Sequence, residues 1–207
     1  MALTLGTSCA QSAGDQVKIP QATSKKPMPG EQVATFSEGC FWHAEIVFQS
    51  LLGVRDAVSG YCGGNDTDPT YEKVETGLTG HAETVNVYYD PSKVSYETLV
   101  KAFFASQDPT EVNRQGNDVG TQYRSIAFYR NDQEKAIILA EIKRLTDAHV
   151  YNDKIATEVV PFKKFYPAES YHQEYIYNHP ENSYVEGVSI PDYLRFRKSF
   201  PGPYKPL

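Results

Sequence analysis

Cysteine is scarce in this chain: Cys9, Cys40 and Cys62 are the only thiols in 207 residues. That excludes a disulfide scaffold, and each thiol must be weighed as chemistry or as packing. Basic charge is also in short supply, with 20 Lys and Arg against 26 Asp and Glu and a net charge of −6. A nucleic-acid partner needs a basic footprint, so the balance argues against one. No apolar run approaches the roughly 20 residues that cross a bilayer. What the chain does have is 40% hydrophobic residues and 15 Tyr. This is the composition of a folded protein, rich in rings that also carry a hydrogen bond.

The chain divides near residue 30. Leu3-Thr4-Leu5-Gly6-Thr7-Ser8-Cys9 resembles the end of a bacterial lipoprotein signal, in which the Cys carries the lipid, although a charged leader is missing. From Ala10 to Gly30 large apolar residues almost vanish and the stretch reads as a flexible linker, so residues 1–30 are expected to be a signal remnant and linker. Residues 31–207 read as one domain. Strands are expected at Val33–Phe36, Val54–Tyr61, Ala82–Tyr89, Arg124–Arg130 and Thr157–Phe165. Helices are expected from Phe41 to Leu51, after a Ser95 cap, over Asp132–Val150 and over Glu169–Asn178. Gln107–Gln122 reads as a long polar loop, a form that is often functional. Strands and helices mix without a βαβ repeat, which predicts an α+β fold: a two-layer mixed sheet with packed helices, in a single domain.

Cys40 follows a strand and Gly39 and opens an amphipathic helix. The helix dipole and free N–H groups there favour a thiolate, whereas a buried core thiol is the bland alternative. Glu83 shares a strand face with Val85, Val87 and Tyr89. Burial on that apolar face would raise its pKa and keep it a neutral proton donor; fraying into water at the strand start would leave it ordinary. Phe41 and Trp42 are either core or the wall of a pocket beside the sulfur. Tyr71 and Tyr123 adjoin polar loops where a phenol can reach a substrate oxygen. Two rival constellations stay open at this point. Cys40 and His43 have half-zinc-site spacing, with Cys62 and His81 as completing ligands, though the second half lacks a paired motif. A Cys–His hydrolase would take His81, His149, His172 or His179 as its base.

Gly39-Cys40-Phe41-Trp42 resembles the signature of the peptide methionine sulfoxide reductase A family. Gly60-Tyr61-Cys62-Gly63-Gly64, Pro69-Thr70-Tyr71, Thr79-Gly80-His81-Ala82-Glu83, Tyr89-Asp90-Pro91 and the run from Arg114 to Ser125 resemble further blocks, in the family's order. The resemblance implies thiol-dependent reduction of methionine S-sulfoxide, free or in oxidised proteins, with no bound cofactor and no metal. This repairs a common oxidative lesion. It implies Cys40 as nucleophile, passing through a sulfenic acid, and Glu83 as acid. Tyr71, Tyr123 and Asp118 would bind and polarise the sulfoxide group, and Phe41 and Trp42 would hold the substrate methyl.

The chain departs from the family pattern in its recycling residues. Many relatives carry resolving cysteines in a C-terminal tail, and Lys198 to Leu207 has none. His43 stands where a small residue is frequent. Either Cys62 resolves the sulfenic acid through a disulfide, or a thioredoxin-like protein or small dithiol reduces Cys40 directly. Lipidation at Cys9 would place the enzyme in the bacterial cell envelope, the cytoplasm being the alternative. A module that binds oxidised Met without reducing it, its pocket altered by His43, is the non-enzymatic alternative.

Overall fold

The computed structural model describes residues 26–205; Cys9 and the lipoprotein-like stretch lie outside them. Strand β1 (Gln32–Glu38) leads through Gly39 into helix α1 (Phe41–Gln49), and β2 (Val54–Cys62) returns beside it. Helix α2 (Tyr71–Glu75) precedes β3 (Ala82–Tyr89), the strand that pairs with both β1 and β2. Helix α3 (Tyr96–Ala105) starts at the expected cap, the Ser95 hydroxyl accepting the Thr98 N–H at 3.1 Å. The long polar segment folds partly into a hairpin, β4 (Arg114–Gln115) with β5 (Asp118–Val119). Then come β6 (Ser125–Tyr129), α4 (Asp132–Asp147), β7 (Glu158–Pro161), β8 (Phe165–Pro167), α5 (Tyr175–Asn178) and α6 (Ile190–Ser199).

The six long-range strands run in the order β7-β6-β1-β3-β2-β8, antiparallel except for the β6–β7 pair. The expected single strand Thr157–Phe165 is instead two strands on opposite edges of this sheet. Only residues 162–164 link those edges, a reach of about 14 Å, whereas a flat sheet of six strands would hold them about 24 Å apart. The sheet must therefore curl. Two other elements differ from expectation. Helix α4 stops at Asp147, with His149 left-handed at φ 49°. The helix expected over Glu169–Asn178 is a 3-10 turn at Ser170–His172 and then short α5, interrupted by Glu174 at φ 54°.

The convex face carries the apolar core. Phe36 of β1 stacks on Phe48 of α1 at 5.3 Å and on Phe103 of α3 at 5.0 Å between ring centroids. Inside the curl the strands present buried polar pairs, Thr35 to Asn86 at 2.6 Å and Ser37 with Thr84 at 2.7 Å. Each hydroxyl finds a partner, which is what allows polar side chains to be buried there. A small apolar cluster of Cys62, Ala82, Ile126 and Phe128 closes one end of the same face. Strand β3 is buried on both faces, so its two-residue alternation separates two enclosed environments rather than core from water.

Candidate active site

The turn from β1 into α1 needs its glycine. Gly39 holds φ +93°, and a Cβ there would meet the Gln115 Cβ at 2.6 Å. This fixes Cys40 as the residue that caps α1. The N–H groups of Trp42 and His43 face its sulfur and lower its pKa, without either completing a hydrogen bond. The net direction is nevertheless the reverse of the helix-start expectation. Burial, and next the Glu83 charge, push the Cys40 thiol well above its usual value. The second of these vanishes whenever Glu83 is protonated.

Glu83 is 2% exposed, and its Oε2 accepts the Phe41 N–H at 2.8 Å. Burial raises its pKa well above the carboxylate range, overriding that bond. The acid of β3 is thus held at the start of the helix that Cys40 caps. Tyr71 and Tyr123 both lie near enough to feel the Glu83 charge, and burial first, then nearby carboxylates, raises both phenols. Asp118 couples to Cys40 and Glu83 and accepts the Tyr184 hydroxyl at 2.5 Å. Phe41 and Trp42 belong to the core and its partly buried margin. Trp42 stacks on Tyr175 at 3.6 Å, and its indole N–H donates to His172 Nδ1 at 3.2 Å.

Four further side chains around the site escaped the sequence reading, Glu75, Glu169, Tyr175 and Tyr184, and His172 was weighed there only as a hydrolase base. Tyr123 donates to the Glu75 carboxyl at 3.1 Å. Burial raises Glu75 too, and a protonated Glu75 reverses that bond, freeing the phenol proton to point at a ligand. Glu169 takes the Tyr61 hydroxyl at 2.9 Å and the Tyr71 N–H at 3.0 Å, pinning the turn that presents Tyr71. Tyr184 lies against the sulfur, where Cys40 and Asp118 help burial to raise it. The signal available was the density of rings in Tyr171-His172-Gln173-Glu174-Tyr175, hidden among 15 tyrosines.

Cys62 is placed elsewhere. Tyr61 stands opposite Glu83 across the β2–β3 register, so Cys62, one residue on, points to the other face of the sheet. There its thiol donates to the Lys164 carbonyl at 3.1 Å, and burial lifts it to about 12. His81 is fully used: Nδ1 accepts the Gly64 N–H at 3.1 Å, so Nε2 carries the proton and donates to the Asp66 carbonyl at 2.8 Å. Among the described residues no three His, Cys, Asp or Glu side chains converge as metal ligands. His172 serves the Trp42 indole, while His149 and His179 lie at exposed or half-buried positions.

The model of one family, peptide methionine sulfoxide reductase, matches residues 32–202. The chain is 46% identical to the "Peptide methionine sulfoxide reductase MsrA 1" of Rhodopirellula baltica, over 84% of this chain and 90% of that one. The chain belongs to the peptide methionine sulfoxide reductase family. It is an oxidoreductase that reduces methionine sulfoxide in a thiol-dependent reaction and so repairs oxidised methionine. Among solved structures, reduced Mxr1 from Saccharomyces cerevisiae superposes with a TM-score of 0.71 at 32% identity, covering 80% of this reductase and 94% of that chain. Mxr1 in complex with Trx2 matches with a TM-score of 0.52 at 24% identity, over 76% and 94%. The α+β reading, a mixed sheet with packed helices in one domain, holds for this reductase. The hydrolase reading falls with the family assignment; of the zinc ligands weighed above, the Cys62 thiol and both His81 ring nitrogens are turned to other partners.

Proposed function

We propose that Cys40 attacks the sulfur of methionine S-sulfoxide while Glu83 protonates its oxygen. The S–O bond breaks, methionine leaves, and Cys40 becomes a sulfenic acid: sulfoxide and thiol in, thioether and sulfenic acid out. An oxide is a poor leaving group unless protonated or strongly hydrogen-bonded. The observation that carries this reading is a buried carboxyl, raised well above its ordinary range, fixed on the N–H next to the nucleophile. Tyr71 and Tyr123 add phenol donors for the oxygen, and Phe41 with Trp42 provides an apolar wall for the methyl. A single turnover of pre-reduced protein without reductant tests it. One methionine per Cys40 is expected from the S epimer and none from the R epimer. Stoichiometric binding without methionine would instead favour the binding module.

The same reading takes an external thiol, from a thioredoxin-like protein or a small dithiol, as the reductant of Cys40. Supporting it, the Cys62 thiol is 1% exposed, on the far sheet face and bonded to a carbonyl, whereas a disulfide needs Cβ atoms about 3.5–4.5 Å apart. Cys62→Ser is expected to leave steady-state turnover with thioredoxin unchanged, and the oxidised wild-type protein should gain the mass of one oxygen. Loss of two hydrogens, with a stalled Cys62→Ser variant, would assign Cys62 as the resolving thiol. The Leu3–Cys9 stretch supports a lipid-anchored enzyme facing the envelope, on oxidised proteins there. Fractionation of the precursor into cytoplasm alone would reject that placement.

A further inference from the structure

A cavity opens at Cys40. It has a volume of about 310 Å³, and Cys40, Asp118, Tyr184, Glu38 and His43 are among its walls. Glu83, Tyr71, Tyr123, Phe41 and Trp42 do not line it. The cavity shares Cys40 and Asp118 with the candidate site but not its acid or the two phenols beside that acid.

Two of its walls are polar groups without the partner their burial calls for. Glu38 is 1% exposed; the Ser106 hydroxyl donates to its Oε2 at 2.8 Å, and Oε1 has no partner. His43 sits three residues beyond Cys40, a spacing that puts both side chains on one side of the helix start. Its Nε2 meets the Ser106 carbonyl at 3.3 Å. A carbonyl only accepts, so the proton belongs on Nε2 and Nδ1 keeps its lone pair. Nδ1 has no hydrogen bond, and the Ser189 carbonyl approaches the ring without making one. Burial lowers the His43 pKa and keeps the ring neutral. The other charged groups bearing on it are Asp192 and Arg195 of α6, which pair with each other, with Glu38 on β1 and Asp118 on β5 across the cavity.

We propose that this cavity seats the thiol that reduces Cys40, and that His43 Nδ1 is the base that takes its proton. The inference rests on the sulfenic-acid reading above. The incoming thiol loses its proton to Nδ1, and its sulfur attacks the Cys40 sulfur opposite the S–O bond. Glu83 protonates the departing oxygen, which leaves as water. A mixed disulfide between Cys40 and the reductant remains, and a second thiol of the same reductant opens it. Two electrons pass from the reductant to Cys40, the imidazolium releases its proton to the solvent, and Glu83, which regains a proton after each one it gives, takes one back from there. His43 thus gives this site a base for a thiol arriving from outside.

Pre-formed sulfenic enzyme is mixed with dithiothreitol, or in a second arm with a reduced thioredoxin, and loss of the sulfenic acid is timed. His43→Ala is expected to leave the methionine burst intact while slowing this step about 10²-fold at pH 7. The ratio of wild-type to variant rate should shrink towards unity at pH 9.5, where the reductant is already thiolate, and added imidazole should restore part of the loss at pH 7. A loss with dithiothreitol alone assigns the cavity to small thiols; a loss in both arms extends it to a protein thiol. An unchanged rate at pH 7, or an equal loss at every pH with no rescue, overturns the proposal. Failure of the burst in wild-type protein would overturn the sulfenic-acid reading itself.

Discussion

Glu83→Gln is expected to slow single-turnover methionine formation by about 10²- to 10⁴-fold, the range a positioned general acid contributes. The amide oxygen of Gln still accepts the Phe41 N–H that Glu83 Oε2 accepts at 2.8 Å, so the start of α1 should stay in place. What is lost is the proton. The pH profile separates that loss from a misplaced helix. In the proposed reaction of the wild-type protein Glu83 acts protonated and Cys40 deprotonated, and both groups are raised well above their ordinary values, by burial first. Activity should therefore rise with pH as the thiol ionises and fall as pH passes the raised value of Glu83. The two limbs belong to the pair rather than to either residue. In the variant the falling limb disappears and the residual rate climbs steadily with pH. Removing the carboxylate also removes the second-ranked cause of the raised Cys40 value, so alkylation of Cys40 should set in at lower pH than in wild-type protein. A variant within tenfold of wild type, or one that keeps the falling limb, would take the acid role away from Glu83.

The pair at the centre was readable because the rules that place it are local. Two-residue alternation put Glu83 on the face of Val85 and Val87, and a strand, a left-handed glycine and a helix start put Cys40 at the cap. The split of Thr157–Phe165 into β7 and β8 was not readable. It depends on a curl that brings the far edges of a six-stranded sheet within reach of residues 162–164, a property of the whole sheet. For the same reason Cys62 looked like a neighbour of the chemistry, while its register with Ala82 turns it away. The thiolate expectation failed by magnitude: the N–H groups at the helix start do act on Cys40, and desolvation outweighs them. His172, Tyr175 and Tyr184 reach the site from a tail whose turns no periodicity marks. Glu45 left a clue, since it falls within the apolar stripe of Phe41, Ala44 and Phe48. A carboxyl in that stripe must be buried, whatever its charge.

Glu45 is the second position where a large effect is expected, this time on stability. It is 2% exposed, and burial raises it to about 8. Its Oε1 accepts the Glu174 N–H at 2.9 Å and its Oε2 meets the Ser59 hydroxyl at 2.8 Å. A proton on Oε2 completes a chain through Ser59 to the Phe41 carbonyl at 3.4 Å. The folded value lies above the unfolded one, so Glu45 stabilises fully below pH ~4.5 and loses that contribution as pH rises through about 8. Asp56, raised to about 6, adds a smaller loss at lower pH. The melting temperature of the wild-type protein should consequently fall between about pH 5 and 8, and Glu45→Gln, which fills the same space and still donates to Ser59, should flatten that fall. Glu45→Ala strands the Glu174 N–H and leaves a hole, and should destabilise at every pH by about 2–5 kcal/mol. The effect reaches the wall proposed for the substrate methyl, because Glu174 holds its left-handed turn immediately before Tyr175, the ring stacked on Trp42. Trp42 is the only tryptophan in the chain, so its emission reports this wall alone. In wild-type protein the emission should shift as Glu45 ionises, ahead of global unfolding, and in Glu45→Gln it should not. Equal pH slopes in the two proteins would mean that Glu45 stays charged in its pocket and that the wall is held by something else.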